Sequence, residues 1–380
     1  MKIVIASDKY KDSLSALKVC RIIGRAIKKI APDLDVVISP MADGGDGTVE
    51  TLVESLDGKL VELEVKGPFG EPVKARFGML GSGTAVIEMA SASGLVLVPA
   101  GKRDPMETTT YGTGELILRA IDMGSKKIIV GIGGSATNDG GMGMAQALGY
   151  RLLDNNGDPL GFGGKELARL ASIDNAGINS KLLSTTIEVA SDVNNPLCGK
   201  KGAAHVYGPQ KGASPEMVKA LDEGLRNYAQ IVARDLKKDI AGLPGAGAAG
   251  GLGAGIAAFA GGVLKPGIDI VIEITGLKDK IKDADLIITG EGAMDEQTFY
   301  GKSAYGVAKL ASRYDIPVIT INGSVLSNRS NIDEKNSSLF SGNFSIINRP
   351  ISLEEAISDA EELLSGAAAE IISFYLRIAK

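Results

Sequence analysis

Residues 127–148 read KIIVGIGGSATNDGGMGMAQAL, and this stretch decides the fold class. Its first part, Lys127–Ile132, is a short apolar run rich in β-branched residues, which predicts a buried strand. A loop of Gly, Ser, Thr and Asn follows, and the small residues of Gly140–Leu148 predict a helix. A strand, a polar glycine-rich loop and a helix in this order are typical of α/β proteins with parallel sheets.

The same alternation extends in both directions from this stretch. Further strands are predicted at Lys2–Ala6, Asp35–Ser39, Lys59–Lys66, Lys74–Met79, Thr84–Met89, Ile187–Ser191, Asp285–Thr289, Pro317–Ile321 and Phe344–Ile347. Further helices are predicted at Ser15–Ile30, Thr48–Leu56, Gly114–Met123, Pro215–Asp235, Lys302–Arg313 and Leu353–Phe374. The segment Lys59–Met89 differs, because Gly67-Pro68 and Gly81-Ser82-Gly83 are turn signals that predict antiparallel strands. The whole pattern predicts an α/β fold in which both chain ends form one domain.

Composition narrows the class of protein. The chain has 380 residues, a length that suggests two domains or one large domain. Its net charge of −5 argues against nucleic-acid binding, which needs a concentrated basic patch. Cys20, Cys198 and His205 are too few for a disulfide framework or a His/Cys zinc site, and they fit a reducing, cytoplasmic location. The 50 glycines are well above the average share and predict tight turns and phosphate-holding loops.

Two segments bear on membrane insertion. The N-terminus has a short apolar run followed by Asp8, Lys9 and Lys11, which predicts a first strand rather than a signal peptide. Residues 240–264 are uncharged and long enough to span a bilayer, but they contain Pro244 and nine glycines. We expect a glycine-rich loop leading into a buried helix there, and no membrane partner.

Polar, glycine-rich loops follow several predicted strands. In open α/β sheets ligands bind beyond the carboxyl ends of the strands, so a site is expected at these loops. They are 7–13 (SDKYKDS), 43–48 (DGGDGT), 131–143 (GIGGSATNDGGMG), 191–196 (SDVNNP) and 290–303 (GEGAMDEQTFYGKS).

The loop at 131–143 admits two functional interpretations. Gly131-x-Gly133-x-x-Ala136 fits a loose dinucleotide fingerprint, and Asp154 lies near the distance expected for a ribose contact. More generally, the loop offers main-chain N–H groups at a helix N-terminus, with Ser135, Thr137 and Asn138 as further hydrogen-bonding groups, which suits a phosphate or a carboxylate. The structural alternative is a helix cap formed by Asn138 or Asp139.

Three lysines stand at positions suited to phosphate contact. Gly301-Lys302-Ser303 resembles the end of a P-loop, but Glu296 stands five positions before Gly301, so no Walker A motif is present. Lys302 is a candidate phosphate-pairing cation at a helix start. Lys9 and Lys11 flank the end of the first strand. The alternative for all three is an exposed, solvated lysine.

Acidic residues follow several strands and point to phosphoryl transfer. They are Asp43, Asp46, Asp192, Glu291 and Asp295. Mg²⁺ takes oxygen ligands, usually one or two carboxylates with phosphate oxygens. Phosphoryl transfer also needs a carboxylate that orients or deprotonates the attacking hydroxyl. Each acid taken alone is more often a turn or cap residue, but the set favours a site.

A family pattern runs through nearly the whole chain. Its stretches are DKYKDSLSA (8–16), PMADGGDGT (40–48), TTYGTGE (109–115), GIGGSATNDGGMG (131–143), ASDVNNPLCG (190–199), YGPQKGA (207–213), PGAGAAGGLG (244–253), LKPGIDIV (264–271) and TGEGAMDEQT with GK (289–302). By their number, order and length the chain resembles the type-1 glycerate kinases of bacteria. The resemblance implies phosphorylation of D-glycerate by ATP with Mg²⁺.

The resemblance also implies a domain organisation. It predicts two α/β domains: a Rossmann-like domain formed by 1–60 and 285–380, and a second α/β domain inserted at 61–284. The active site is expected in the cleft between them. Relatives mostly read GEGR where this chain has Ala293, so Lys302 or Lys9 would supply the phosphate contact expected at that position.

Roles follow for the candidate residues as hypotheses. Asp192 orients or deprotonates the glycerate hydroxyl, with Lys9 and Lys11 neutralising the transferring phosphate. Glu291 and Asp295 lie near Mg²⁺. The substrate carboxylate binds at Ser135, Thr137 and Asn138, with Arg103 as a bidentate partner. Nucleotide phosphates are assigned to Gly290, Gly292, Lys302, Ser303, Asp43 and Asp46.

Other functions stay open at this point. A NAD-dependent dehydrogenase of a small hydroxy acid would rest on the fingerprint at Gly131, and a sugar-acid sensor would keep the fold without catalysis. A metal-dependent phosphatase would use the same carboxylates. The resemblance favours 2-phosphoglycerate over 3-phosphoglycerate as the product, and the sequence leaves a homodimer open.

Overall fold

The computed structural model describes residues 1–326 and 338–378, which form two compact units. Unit 1 comprises Met1–Asp43, Glu54–Leu56 and Ile268–Lys380, and unit 2 comprises Gly44–Val53 and Asp57–Gly267. The predicted domain limits, at 60/61 and 284/285, stay a prediction. The predicted range 285–380 includes 327–337 and 379–380, which lie outside the described residues.

Strands and helices alternate along the chain. The strands are β1 (Lys2–Ile5), β2 (Asp35–Ile38), β3 (Lys59–Lys66), β4 (Pro72–Met79), β5 (Thr84–Glu88), β6 (Lys127–Gly131), β7 (Arg151–Leu153), β8 (Ser172–Asp174), β9 (Thr186–Ala190), β10 (Val263–Lys265), β11 (Leu286–Thr289), β12 (Ala293–Met294), β13 (Val318–Asn322), β14 (Ser324–Val325) and β15 (Gly342–Ser345). The α-helices are α1 (Ala16–Ile30), α2 (Thr48–Ser55), α3 (Ala90–Ser93), α4 (Tyr111–Asp122), α5 (Met142–Ala147), α6 (Ala203–Tyr207), α7 (Pro215–Leu236), α8 (Leu252–Ala260), α9 (Gly267–Thr275), α10 (Leu277–Ile281), α11 (Ser303–Ala311), α12 (Leu353–Ser358) and α13 (Ala360–Ile378). Short 3₁₀ helices lie at Leu95–Leu97, Ala100–Lys102, Gly164–Arg169, Ser180–Ser184, Pro209–Lys211, Ala248–Gly251, Glu296–Tyr300 and Ser312–Tyr314.

Unit 1 is built on a parallel sheet. Within the described residues its five strands lie in the order β15-β13-β11-β1-β2. The register pairs Ile3 with Leu286 and Ile5 with Ile288, so strands from the two ends of the chain are neighbours. All pairs are parallel, and the carboxyl ends of β1 and β11 therefore meet at one edge.

Unit 2 is built on a mixed sheet. Its strand order is β10-β9-β6-β5-β4-β3. The pairs among β10, β9, β6 and β5 are parallel, whereas β5–β4 and β4–β3 are antiparallel. The antiparallel arrangement predicted for Lys59–Met89 is therefore confirmed. The loops after β6 and β9 leave the same edge of the parallel part.

Local sequence explains how these elements begin and pack. The Ser15 hydroxyl caps α1 by accepting the N–H of Lys18, and α1 ends in Lys28 and Lys29, which suit a helix C-terminus. Unit 1 buries the apolar face of α1 against β1 and β11 together with α13. Unit 2 has its own core around Phe77, in which α4, α7 and α8 contribute apolar faces.

The structure departs from the predicted elements near the C-terminus. The predicted helix Leu353–Phe374 is two helices, α12 and α13, because the chain leaves helical geometry at Asp359. The predicted strand Phe344–Ile347 lies two residues earlier, as β15.

The uncharged stretch 240–264 forms a loop followed by the buried helix α8, as predicted. Among residues 1–326 and 338–378, none of the helices combines the length and the apolar composition needed to cross a bilayer.

Candidate functional site

In unit 1, acidic side chains collect where β1 and β11 end. The N–H of Asp8, after β1, donates to the carbonyl of Gly290, after β11 (2.9 Å). The hydroxyl of Ser303, the first residue of α11, donates to Asp8 Oδ2 (2.5 Å). Three elements that are distant in sequence are thereby held together. We call Asp8, Asp43, Glu291 and Asp295 the acidic site.

Asp8 is the most perturbed member of the acidic site. Its Oδ1 accepts the N–H of Lys9 (2.6 Å), and its Oδ2 accepts the Ser303 hydroxyl. Desolvation, with the negative charge of Asp43 as the second cause, raises the pKa of Asp8 to about 7. The ammonium of Lys9 acts in the opposite direction. A carboxyl in this environment gains from any further cation that binds beside it.

Glu291 and Asp295 share one lysine. The ammonium of Lys302 lies 3.7 Å from Glu291 Oε2 and 3.5 Å from Asp295 Oδ1. Glu291 Oε1 accepts the hydroxyl of Thr298 (2.6 Å), and Asp295 Oδ1 accepts the N–H of Gln297 (2.9 Å). Burial raises the pKa of Glu291, while Thr298 and Lys302 oppose the shift. Asp295 therefore also caps the 3₁₀ turn that follows it.

The acidic site has the donor chemistry of a Mg²⁺ site with few protein ligands. Within residues 1–326 and 338–378, no group of three or more His, Cys, Asp or Glu side chains is arranged to hold a metal ion. Mg²⁺ commonly binds through one or two carboxylates and completes its shell with phosphate oxygens and water. Glu291 and Asp295 fit that description, since both are carboxylates already turned towards one cation.

Glycines at this edge serve close backbone approach. A Cβ on Gly290 would lie 1.8 Å from the carbonyl oxygen of Ile321, and one on Gly292 would lie 3.2 Å from the main-chain N of Lys11. The loops after β1, β11 and β13 can therefore pack at this spacing only with glycine at 290. The side chain of Lys9 is partly buried, whereas Lys11 is exposed.

In unit 2, the loop at 131–143 is held by neighbouring main chain. The N–H of Leu95 donates to the carbonyl of Gly134 (2.7 Å), and the N–H of Ala136 donates to the carbonyl of Ser93 (3.0 Å). A Cβ on Gly131 would lie 2.8 Å from the carbonyl oxygen of Gly44, so this loop also packs closely against the loop at 43–48.

Asp139 explains the conformation of this loop. Its carboxylate accepts four hydrogen bonds, from the N–H of Gly141 (3.0 Å), Gly143 (3.1 Å) and Thr110 (2.8 Å) and from the Thr110 hydroxyl (2.8 Å). Burial raises the pKa of Asp139, and these four donors oppose the shift. The N-cap residue of α5 is Gly141, so neither Asn138 nor Asp139 is the cap. The carboxylate of Asp139 instead holds the start of α5 through the N–H groups of Gly141 and Gly143.

A cleft of about 430 Å³ opens beside this loop. We call it the lysine cleft; its lining includes Gly133, Ser135, Ser191, Asp192, Gln210 and Lys211. The ammonium of Lys211 donates to the Ser135 hydroxyl (2.7 Å) and to the carbonyl of Thr137 (2.7 Å). Lys211 is 1% exposed, and burial lowers its pKa to about 7. A buried cation held by neutral oxygens makes the cleft suited to an anion.

Several buried polar atoms of this region have no hydrogen-bond partner in the described part of the chain. They are Thr137 Oγ1, both side-chain polar atoms of Asn138, and Ser191 Oγ. Buried polar groups are almost always paired, so such atoms mark places where water or a ligand binds. Ser191 lines the lysine cleft itself.

The remaining predicted residues lie in different surroundings. Asp192 is exposed and lines the lysine cleft, and its Oδ1 accepts the N–H of Gly267 (2.9 Å). Arg103 Nη1 donates to the carbonyl of Gln210 (3.3 Å), which borders the cleft. Asp46 Oδ1 lies 3.7 Å from where a Cβ of Gly134 would be, so Asp46 belongs with unit 2, while Asp43 contributes to the acidic site of unit 1.

Asp154, the residue predicted to contact a ribose, instead stabilises its own turn. Its Oδ1 accepts the N–H groups of Asn156 (2.9 Å) and Asp158 (3.1 Å), and its Oδ2 pairs with Arg169 (3.2 Å). These bonds are those of a turn aspartate, so the dinucleotide interpretation of Gly131 loses its second element.

Sequence reasoning missed two residues of these sites, Asp8 and Lys211. Both lie in stretches that carry the family pattern, DKYKDSLSA and YGPQKGA. A lysine between Pro209 and Gly212 reads as a surface turn, since lysines are rarely buried. The sequence signal for this position is the glycine at 212. In the structure its φ is +96°, and a Cβ there would lie 2.2 Å from the carbonyl oxygen of Arg103, so the turn packs closely against the chain.

The chain is similar to known proteins along nearly its whole length. The sequence model of the glycerate kinase family matches residues 3–376. A glycerate kinase of Bacillus subtilis is 50% identical over 372 residues, which cover 98% of this chain and 97% of the relative. A glycerate 2-kinase of Escherichia coli is 52% identical over 326 residues, 86% of each chain. A crystal structure from Salmonella typhimurium, provisionally described as a glycerate kinase 2, superposes with a TM-score of 0.92 at 49% identity and covers 99% of this chain and 98% of that one. The chain therefore belongs to the glycerate kinase family.

Proposed function

We propose that this chain transfers the γ-phosphoryl group of ATP to a hydroxyl of D-glycerate, with 2-phosphoglycerate as the product. The family match and relatives named glycerate kinase along nearly their whole length support the substrate. A relative named glycerate 2-kinase supports the position of transfer. Free thiols at Cys20 and Cys198 fit a reaction that takes place in the cytoplasm.

One observation carries the proposal. Asp192 lines a cleft whose volume, about 430 Å³, suits a small polar acceptor, and the polar loop at 133–135 lines the same cleft. A carboxylate at such a position can accept the proton of a substrate hydroxyl as that hydroxyl attacks phosphorus. Asp192 Oδ1 is tied to the N–H of Gly267, which fixes the orientation of the carboxylate.

The acidic site handles the nucleotide in this proposal. Glu291 and Asp295 would hold Mg²⁺, which when bound neutralises charge on the phosphate oxygens. Lys302 pairs with a phosphate oxygen and, with Lys9 and Lys11, offsets the charge of the transferring group. Gly290, Gly292, Ser303 and Asp43 belong to the loops of this site, whereas Asp46, which lies in unit 2, stays a predicted contact of the nucleotide phosphates. Ser303 holds Asp8 in place through its hydroxyl.

Ser135 binds the acceptor, and Thr137, Asn138 and Arg103, which lie outside the lining of the lysine cleft, act through their neighbours. Ser135 lines the lysine cleft, and Thr137 and Asn138 supply the unpaired polar atoms behind it. Arg103 approaches from the side of Gln210 and steadies that edge. Enclosure of the acceptor limits the access of water and thus wasteful hydrolysis of ATP.

The test is one reaction followed by phosphorus NMR. Purified protein, MgATP and D-glycerate should give ADP together with a new phosphomonoester, whose shift and coupling distinguish 2-phosphoglycerate from 3-phosphoglycerate. The matched control is the Asp192→Asn protein at the same concentration. ADP with free phosphate and no ester would overturn D-glycerate as the acceptor, and no consumption of ATP would overturn the kinase proposal.

A further inference from the structure

Lys211 is a buried cation whose presence the proposed function has not yet used. It lines the lysine cleft, yet 1% of its surface is exposed. Its ammonium donates to the Ser135 hydroxyl and the Thr137 carbonyl, both at 2.7 Å. Both partners are neutral, and the negative charge of Asp139 opposes but does not outweigh the desolvation of the ammonium, so burying this charge is costly. Something other than protein stability therefore accounts for a lysine at this position.

The carboxylate whose charge reaches Lys211 is Asp139, but that group is already satisfied. Asp139 accepts four hydrogen bonds from Thr110, Gly141 and Gly143, three on Oδ2 and one on Oδ1, while the ammonium of Lys211 bonds to Ser135 and Thr137 instead. An ammonium has three N–H donors, and that of Lys211 uses two of them to bond Ser135 and Thr137. The third donor and the net positive charge are available to a molecule in the cleft.

The cleft offers a second group for the same ligand. Ser191 Oγ is buried, lines the cleft and has no hydrogen-bond partner in the described part of the chain. A hydroxyl and an ammonium together bind a carboxylate well, since each oxygen of the ligand then finds a donor.

We propose that Lys211 binds the carboxylate of the substrate in the lysine cleft, and that this contact makes the enzyme select acids over uncharged alcohols of the same size. The inference rests on the proposed function, because it concerns the acceptor of the same reaction. Ser135 is a positioning residue that holds the ammonium of Lys211.

The decisive comparison uses a charged and an uncharged ligand. D-glycerate and its methyl ester differ in the negative charge, and their Kd values for the free protein are measured by calorimetry without ATP. Wild type should bind D-glycerate at least about 30-fold more tightly than the ester, as expected when one partner of a buried charge pair is missing. The Lys211→Met protein should bind the two ligands equally.

The matched control is Lys238→Met. Lys238 is exposed and lies outside the lining of the lysine cleft, and its ammonium likewise donates to a main-chain carbonyl, that of Ala258 (2.7 Å). Its substitution should leave both Kd values unchanged. The Ser135→Ala protein should weaken D-glycerate binding about threefold and leave the ester unchanged, since one hydrogen bond to the ammonium is lost.

A pH series separates charge pairing from simple packing. Burial keeps the pKa of free Lys211 near 7, so binding of the anion requires proton uptake at higher pH. The Kd of D-glycerate for wild type should rise about tenfold per pH unit above 7, and that of Lys211→Met should stay flat. Asp46, Asp139, Asp192, Arg103 and Tyr207 are titratable groups of these loops and of the cleft, and they are present in both proteins.

Several results would overturn the inference. Equal binding of D-glycerate and its ester by wild type would do so, as would an unchanged Kd for D-glycerate in Lys211→Met. A fall in kcat with an unchanged Kd would make Lys211 a base instead. Loss of binding through misfolding is recognised by a lowered thermal midpoint; we expect the midpoint of Lys211→Met at pH 6 to equal or exceed that of wild type, because a buried ammonium is removed. Failure of the proposed function would appear separately, as absence of ester from wild type in the phosphorus NMR reaction.

Discussion

The acidic site of unit 1 and the lysine cleft of unit 2 hold buried charge of opposite sign. In the acidic site, Asp8 has a pKa raised to about 7 by desolvation and by Asp43. In the lysine cleft, burial lowers the pKa of Lys211 from 10.5 to about 7. Each region therefore carries a charge that the protein leaves incompletely compensated. The difference in sign suits the first to a cation and the second to an anion.

Asp139 shows what a purely structural charge looks like in the same molecule. It is fully buried, as Lys211 is, but four donors from two segments of the chain surround its carboxylate. Asp8 has the N–H of Lys9 and the hydroxyl of Ser303 and faces a second carboxylate. The number of donors around a buried acid, rather than its burial, distinguishes a structural carboxylate from a binding group.

The largest effect is expected from Asp192→Asn. The substitution keeps an oxygen that can accept the N–H of Gly267 but removes the base, so kcat should fall about 10²- to 10⁴-fold with an unchanged thermal midpoint. Initial rates and a melting curve check this. Asp158→Asn, at an exposed turn, is the control. A kcat within threefold of wild type would remove the chemistry from the lysine cleft.

A smaller effect, confined to the nucleotide, is expected from Lys302→Ala. Loss of the ammonium beside Glu291 and Asp295 should raise the KM of ATP about tenfold, because a charged contact to phosphate is lost. The KM of D-glycerate should not change. Lys309→Ala, at an exposed lysine of α11, the helix that follows Lys302, is the matched control. An equal rise of both KM values would show that the two regions do not divide the ligands as proposed.

Arg103→Lys should have a modest effect on the acceptor. Lysine keeps the charge but cannot reproduce the planar guanidinium that donates to the carbonyl of Gln210, so the KM of D-glycerate should rise about threefold with kcat unchanged. Steady-state kinetics with Arg151→Lys as a surface control checks this. An unaltered KM would remove Arg103 from the substrate site and leave Lys211 as its cation.

The smallest effect is on stability and comes from Asp8→Asn. In unfolded chain Asp8 loses its proton near pH 3.8, whereas the folded state holds it to about pH 7. Unfolding therefore releases a proton between these values, and stability falls as pH rises through that window. The Asn variant does not have to ionise a desolvated carboxyl at pH 8. In the presence of a chelator its thermal midpoint should therefore exceed that of wild type at this pH, by about 2–4 °C for each kcal/mol of unfolding free energy regained. The two melting curves should converge towards pH 4. A wild type that is the more stable protein at pH 8 would contradict the assigned environment of Asp8.

Local patterns made much of the fold predictable. The predicted bounds of β3, Lys59–Lys66, are those of the structure, and the predicted helix Pro215–Asp235 ends one residue before α7 does. Both predictions rest on signals that act within a few residues: alternation, turn residues and the Ser214–Pro215 helix start. The prediction of one continuous C-terminal helix was wrong, because the break at Asp359 lies within a region of strong helix formers. Propensity averaged over a window cannot locate such a break.

The site was predictable as loops but not as contacts. The sequence indicates polar loops after β1, β6, β9 and β11, yet the hydrogen bonds that fix Asp139 depend on Thr110, which comes from a separate helix start. Asp8 meets Ser303 across 295 positions of sequence. Lys211 is held in its buried position by the Ser135 hydroxyl and the Thr137 carbonyl, more than 70 positions away in sequence. Each of these depends on tertiary packing, which no local pattern encodes.

The pairing of β1 with β11 has a consequence for how the chain is made. Ile3 finds its partner Leu286 only after the whole of unit 2 has been synthesised. At typical rates of translation the first strand waits roughly 15–60 s on the ribosome for its neighbour. Unit 2 consists of the short segment Gly44–Val53 and the continuous stretch Asp57–Gly267, and it can complete its core in that interval. The apolar residues of β1 and α1 are meanwhile exposed, so nascent chains stalled before residue 286 should depend most on chaperones.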